Sequence, residues 1–171
     1  MMAKELWILV KMLFLSRPSD IFGKDLELVI MQKFPFKGFR FMCWCGKIIL
    51  RQERVEIISR FLHTEAGKIS MKHEKGHALQ AISEHGDNWL RFYLSYFWHW
   101  LKHCPWIAPS SACYFFNRYE VECFAKEADN DYWEDYTRHD LRSKYTIKHP
   151  REKWRELGSN AQAWKAYVRT L

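Results

Sequence analysis

Residues 73–77 of this chain read His-Glu-x-x-His, and this motif sets the main expectation for its fold. Residues four apart lie on the same face of an α-helix, one turn above the other. In a helix, His73 and His77 can therefore present two imidazole nitrogens to one tetrahedral Zn²⁺ ion. Glu74 is rotated by about 100° around the helix axis from His73. Its carboxylate would then lie beside the open position of the metal, where it could accept a proton from water.

The residues around the motif predict a helix from about residue 70 to residue 83. Gly86 offers a natural stop at its C-terminal end. Gly76 inside the helix costs about 1 kcal/mol relative to Ala, which indicates close packing there. The residues that give this helix an apolar face are Met71, Ala78, Leu79 and Ile82. The competing interpretation is a solvated helix face on which two surface histidines happen to be four residues apart.

A second stretch, residues 117–129, predicts a helix that could complete a metal site. A catalytic zinc site needs three protein ligands and one open position, so a ligand from a second helix must join the two histidines. Glu120 lies far enough after the motif for a connecting helix, a loop and a return. For Glu122 and Glu127 we expect an ordinary solvated helix face, because only one carboxylate is needed.

Taken together, the two stretches resemble a known family of enzymes. His73-Glu74-x-x-His77 followed by Glu120-x-x-Cys123 resembles the gluzincin branch of zinc metallopeptidases, in which a later helix carries Glu-x-x-Ala. Its first Glu is the third zinc ligand in those enzymes. The resemblance implies a Zn²⁺ cofactor held by His73, His77 and Glu120, with Glu74 as the general base.

The resemblance covers about residues 68–136, and it leaves two registers open on the second helix. The stretch is also similar to short, uncharacterised bacterial proteins that carry a His-Glu-Lys-x-His helix, an aromatic segment and a Phe-Glu-x-Glu-Ala-Tyr-like motif. That longer match favours Glu120, whereas the literal Glu-x-x-Ala frame begins at Glu122 and makes it the rival ligand. In the preferred register Cys123 stands where the family has a small Ala, and Phe124 stands where many gluzincins have Asp.

The predicted fold class is α+β, zincin-like, mainly helical with a small sheet packed on the metal-bearing helices. The length favours a single domain over residues 1–171. Its metal-site core would span about 67–136. A basic helical tail, 137–171, carries most of the formal net charge of +7.

The other segments carry weaker signals. The stretch 55–61 is compatible with either helix or strand. The remaining expectations are a helix at 5–15, a helix from about 20 to 33, a hairpin or bulged strand at 39–50, and an extended segment at 67–71.

An aromatic segment at 88–106 is the most apolar part of the chain, in a protein with nine Trp and 17% aromatic residues. Basic residues interrupt it, so its uninterrupted run is too short to span a bilayer. We expect a buried helix of a compact enzyme. The alternative is a helix that lies in a membrane interface, where Trp and Tyr are favoured.

The cysteines indicate a reducing compartment. Their number is odd, five, and residues 3–16 are apolar but interrupted by charges, unlike a secretory signal. We therefore expect reduced thiols and a cytoplasmic protein that could associate with a membrane.

The sequence predicts a zinc-dependent metallopeptidase that acts on a peptide or protein substrate, with Glu74 taking the proton of a zinc-bound water. The candidates for stabilising an oxyanion are Tyr114, Arg118, Tyr132 and His139. The alternative is a non-catalytic zincin-like module whose aromatic helix and basic tail engage a partner or a membrane surface. Nucleic acid is not expected as a partner, since no recognised binding motif accompanies the basic charge, and nothing in the sequence sets an oligomeric state.

Overall fold

The computed structural model describes residues 2–21, 24, 26–35, 41–103, 112–134 and 145–171. This part of the chain is mostly helical with one three-stranded sheet, so the mainly helical α+β prediction is confirmed. The backbone groups into two compact units, Met1–Leu90 and Arg91–Leu171. The single-domain expectation stays a prediction.

The elements are numbered in chain order. The helices are α1 (Met2–Leu15), α2 (Val55–Leu62), α3 (Glu65–His85), α4 (Trp89–Leu101), α5 (Ala112–Phe116), α6 (Arg118–Lys126), α7 (Asn130–Glu134), α8 (Pro150–Glu156) and α9 (Ala161–Val168). The strands are β1 (Glu27–Met31), β2 (Met42–Trp44) and β3 (Lys47–Arg51).

The sheet has the order β1-β3-β2, with β1 parallel and β2 antiparallel to β3. Strands β2 and β3 form the predicted hairpin, of which residues 39 and 40 lie outside the described part. Its turn is Cys45-Gly46, with φ of 50° and 70°. Two left-handed residues are what a two-residue type I′ turn requires. A Cβ on Gly46 would also overlap the side chain of Ile21, so this position needs glycine.

The central strand β3 is buried on both faces, which explains its continuous apolar run. Ile48 and Leu50 pack with Ile58 of α2 on one face. Ile49 packs with Leu9 of α1 on the other face. The first unit is therefore layered, with α1 and α2 on opposite sides of the sheet.

The helix predicted at 20–33 is wrong, because residues 27–31 form β1. Each residue of β1 pairs with β3, from Glu27 with Lys47 to Met31 with Arg51. Parallel pairing with a strand 20 positions away is a long-range interaction that the local pattern does not contain.

The extended segment predicted at 67–71 is also wrong, because α3 already begins at Glu65. Thr64 caps this helix, and its Oγ1 accepts a hydrogen bond from the Gly67 amide at 3.1 Å. A Cβ at Gly67 would overlap the backbone of Phe61, so glycine lets the end of α2 approach the first turn of α3. The ambiguous stretch at 55–61 is helical and forms most of α2.

The second unit has its own core, to which α5, α6, α9 and Tyr145 contribute. Its buried members are Phe116, Val121, Phe124, Tyr145, Trp164 and Val168. The described part of the predicted basic tail contains two helices, α8 and α9. Since Trp164 is fully buried, this part of the tail belongs to the core.

The aromatic segment forms α4, and its predicted residues 104–106 lie outside the described part. It is not buried all round. Phe92 is buried, whereas Leu94, Phe97 and Trp98 are exposed on one face. Among the helices that the structure describes, none combines the length and the apolar character needed to cross a membrane.

Candidate metal centre

Helix α3 carries the His-Glu-x-x-His motif well inside its 21 residues. Gly86 ends it in the left-handed conformation with φ of 63°, as the sequence predicts for the C-terminal stop. Gly76 is buried, in agreement with the close packing inferred from a glycine inside a helix. The motif is thus held by a capped helix rather than a frayed end.

The two motif histidines are buried on one face of α3. His73 is 4% exposed and His77 is 9% exposed. Their rings are nearly perpendicular, with centroids 5.0 Å apart. This geometry rules out the interpretation of a solvated helix face with two surface histidines.

A side chain that the sequence interpretation missed favours one tautomer of His77. The Nδ1 atom of His77 lies 2.8 Å from Oε1 of Gln80, which is fully buried. An amide oxygen accepts only, so Nδ1 carries the proton and donates it to Gln80. The lone pair of Nε2 is then the one that can bind a metal. Gln80 follows His77 by three positions on the same helix face, a spacing that could have identified it.

A cysteine of β2 lies beside the predicted general base. Burial, followed by the negative charge of Glu74 and a hydrogen bond to it, raises the pKa of Cys43 well above its ordinary value. The thiol of Cys43 therefore stays protonated and donates to the Glu74 carboxylate. Cys43 of the sheet is therefore a hydrogen-bond partner of Glu74, and the sequence interpretation assigned no role to Cys43.

Three buried ligands lie close enough to bind a metal ion. One ligand atom each from His73, His77 and Cys123 lies within 4.8 Å of the others. Two imidazoles and one thiolate are a donor set that zinc accepts in proteins. Among the described residues, this group contains Cys123 and does not contain Glu120. The sequence interpretation gave Cys123 only the place of an Ala, although cysteine is itself a zinc ligand.

Glu120, the ligand implied by the gluzincin resemblance, is buried on α6. Its Oε1 accepts a hydrogen bond from the Tyr96 hydroxyl at 2.6 Å. The side-chain oxygen of Asn117 caps this helix, and its amide donates to the Tyr96 carbonyl at 3.1 Å. Two hydrogen bonds therefore connect Tyr96 to Asn117 and Glu120. The role of Glu120 as a metal ligand stays a prediction.

The expectation of a solvated face for Glu122 and Glu127 is wrong, because both side chains are buried. Glu122 accepts a hydrogen bond from the Tyr132 hydroxyl at 2.7 Å. Glu127 forms an ion pair with Arg169 at 2.6 Å. Buried carboxylates require such partners, and these partners come from outside α6.

Two of the residues suggested for stabilising an oxyanion have other contacts in the structure. Arg118 is buried, and its Nε donates to Nε2 of His99 at 3.2 Å. Tyr132 donates to Glu122. Tyr114 is exposed, and His139 lies outside the described residues.

Comparison of the chain with protein-family models, with curated proteins and with solved structures gives no match. The gluzincin resemblance therefore rests on the motif residues alone.

Proposed function

We propose that this chain is a zinc-dependent hydrolase of peptide bonds with a zincin-like metal site. The observation that carries the proposal is the pair of buried imidazoles on one face of α3, His73 and His77, with Glu74 directly after the first. A buried pair with this spacing is what a metal site needs and what a surface helix lacks.

The third ligand that we propose is Cys123, because its sulfur atom belongs to the same close group as the two imidazole nitrogens. Three protein ligands leave the open fourth position of a catalytic zinc site. Glu120 is the competing ligand, since it precedes Cys123 by three positions and therefore lies on the same side of α6. When bound, zinc supplies Lewis acidity that polarises a carbonyl and lowers the pKa of water.

Three other residues around the site have separate proposed roles in catalysis and in metal binding. Glu74 has the chemistry of a general base that takes a proton from the attacking water. The hydrogen bond from Cys43 orients the Glu74 carboxylate. Gln80 holds His77 in the tautomer that exposes Nε2 to the metal.

The metal-binding step is tested by mass spectrometry of metal content on protein purified without a metal-affinity tag. We expect about one zinc per chain, the stoichiometry of a single catalytic site. The variant Cys123→Ser should lose most of this zinc, whereas Glu120→Gln should keep it. Loss with Glu120→Gln and retention with Cys123→Ser would restore Glu120 as the ligand. A wild-type protein that holds no zinc even after reconstitution would refute the proposal.

The catalytic step is tested by digestion of a peptide library with the zinc-loaded protein. Glu74→Gln should keep the metal and lose cleavage by at least about 100-fold, the lower range for a general base. Glu56→Gln on the exposed face of α2 is a matched control and should cleave normally. Equal cleavage by the Glu74→Gln variant would remove Glu74 from the mechanism.

A second candidate function is supported by the exposed side chains of α4. Leu94, Phe97 and Trp98 are spaced as one helical stripe and are all more than half exposed. A non-catalytic module would use this stripe on a membrane surface. We would test it by sedimentation with vesicles of phosphatidylcholine containing phosphatidylserine. If the purified wild-type protein contained no zinc, bound these vesicles and lost this binding on Phe97→Ser substitution, the results would favour this function over the hydrolase.

A further inference from the structure

A cleft of about 240 Å³ lies within the second unit, and its lining includes none of the proposed metal ligands. Its apolar part includes the aromatic rings of Phe116 and Trp154. Trp154 is held in place by stacking on Phe115, with ring centroids 5.5 Å apart. This volume is below the about 300–1,000 Å³ of typical ligand pockets, so a fitting ligand is small.

The polar part of the cleft is basic. It includes the side chains of Arg151 and Arg155, which are one helical turn apart on α8. Arg151 is anchored, because its Nη2 donates to the backbone carbonyl of His103 at 2.7 Å. One edge of this guanidinium is thereby fixed while its other donors remain for a ligand.

Among the residues that the structure describes, none of those that line the cleft is a carboxylate. The two acidic residues of α8 have partners on the same helix or at its start. Glu156 pairs with Lys153 at 2.9 Å, and Glu152 lies 3.9 Å from His149. The arginines therefore face the cleft, and the described part of its wall carries no acidic group.

The electrostatic field at His103 has the same sign. Burial, followed by the positive charges of Lys102 and Arg151, lowers the pKa of His103 below its ordinary value. Since this wall disfavours added positive charge, it favours a negative group in the cleft.

We propose that this cleft binds a small anion that carries a flat apolar ring, a carboxylate or a phosphate monoester. The ring packs against Trp154 and Phe116, and the charged group binds Arg151 and Arg155. Guanidinium groups bind both anions through paired hydrogen bonds, so the two head groups share one recognition chemistry. The site uses no residue of the metal centre, and its ligand is independent of the hydrolase proposal.

The test is calorimetric titration of the full chain with benzoate, phenyl phosphate, inorganic phosphate and benzyl alcohol. We expect one of the two aromatic anions to bind at least about tenfold more tightly than both benzyl alcohol and inorganic phosphate. The tighter of the two anions identifies the head group. Equal binding of benzyl alcohol would overturn the role of the charge, and equal binding of inorganic phosphate would overturn the role of the ring.

Two variants assign the binding to the cleft. Arg155→Gln should weaken the better anion by about 10- to 100-fold, the range for a lost charge-assisted hydrogen bond. Arg155 is exposed, so its replacement should leave folding unchanged, as a thermal melt would confirm. Arg54→Gln, an exposed arginine of the first unit, is the matched control and should bind normally. Unchanged binding in Arg155→Gln would refute the site. So would a result in which neither benzoate nor phenyl phosphate binds to the wild type.

Discussion

The hydrogen bond between His77 and Gln80 allows a sharp test of how α3 prepares a metal ligand. Replacing Gln80 by Leu removes the acceptor of the Nδ1–H group and keeps a side chain of similar volume. Because Gln80 is fully buried, water does not replace the lost acceptor. His77 would then lose the hydrogen bond that favours its present tautomer, and the other tautomer places the proton on the metal-binding nitrogen.

Two separate effects are expected from Gln80→Leu. Loss of the group that orients a ligand histidine weakens metal binding by about 10- to 100-fold, or about 1.4–2.7 kcal/mol. Loss of this buried hydrogen bond also destabilises the metal-free protein, by about 1–3 kcal/mol. Competition with a chromophoric chelator measures the first effect, and urea denaturation of the metal-free protein measures the second.

A matched pair of variants controls this experiment. Gln80→Glu retains an acceptor for His77 and should bind zinc more tightly than Gln80→Leu. Gln162→Leu changes an exposed glutamine of α9 and should alter neither quantity. If Gln80→Leu bound zinc as tightly as the wild type, the hydrogen bond would have no part in preparing the ligand.

Three further predictions concern other parts of the fold. Gly46→Ala should destabilise the protein by about 1–3 kcal/mol in urea denaturation, because the turn requires a positive φ there. Tyr132→Phe should cost about 1.5–3 kcal/mol in the same assay, because it removes a hydrogen bond to the buried Glu122 carboxylate. His103 should titrate by NMR below the ordinary histidine pKa of about 6.5. Its unfolded form takes up the proton first, so stability should fall as the pH drops below about 6.5, and His103→Gln should reduce this loss.

Each of these has a result that would contradict it. A wild-type free energy of unfolding for Gly46→Ala in urea would show that the turn tolerates a side chain. An unchanged stability of Tyr132→Phe would mean that Glu122 has sufficient other partners. A titration of His103 at or above the ordinary pKa would contradict the positive field inferred for the cleft.

The parts of the fold that the sequence predicted depend on local interactions. The C-terminal stop of α3 at Gly86 follows from residues within one turn of each other. The hairpin at Cys45-Gly46 follows from a turn that joins neighbouring strands. In contrast, β1 was predicted as a helix, because its partner β3 is distant in sequence and only the pairing fixes the extended conformation.

The candidate site divides in the same way. His73 and His77 are set by the period of one helix, and the structure shows both buried as a metal site requires. The partners of the acids on α6 and at its C-terminal end come from distant parts of the chain, Tyr96 for Glu120 and Arg169 for Glu127. The sequence pattern shows the carboxylates but not their partners. The prediction from it therefore placed Glu122 and Glu127 on a solvated face, although both are buried.

The choice between Cys123 and Glu120 has a thermodynamic consequence that a metal analysis alone does not measure. An ordinary cysteine, with a pKa of about 8.5, is mostly protonated at pH 7, whereas glutamate is ionised. Binding of zinc through a thiolate must therefore release about one proton that binding through a carboxylate does not. Calorimetric titration at pH 7 in buffers of different ionisation enthalpy measures this number.

We expect the wild type and Glu120→Gln to release about one extra proton for each zinc ion bound. Any zinc binding that remains in Cys123→Ser should occur without release of this proton. Both ligand sets carry one negative charge, so the net charge at the metal is the same with either ligand. The role proposed for Glu74 as general base is therefore the same in both cases. A wild-type protein that binds zinc without this proton would exclude the thiolate and leave the carboxylate of the gluzincin pattern as the third ligand.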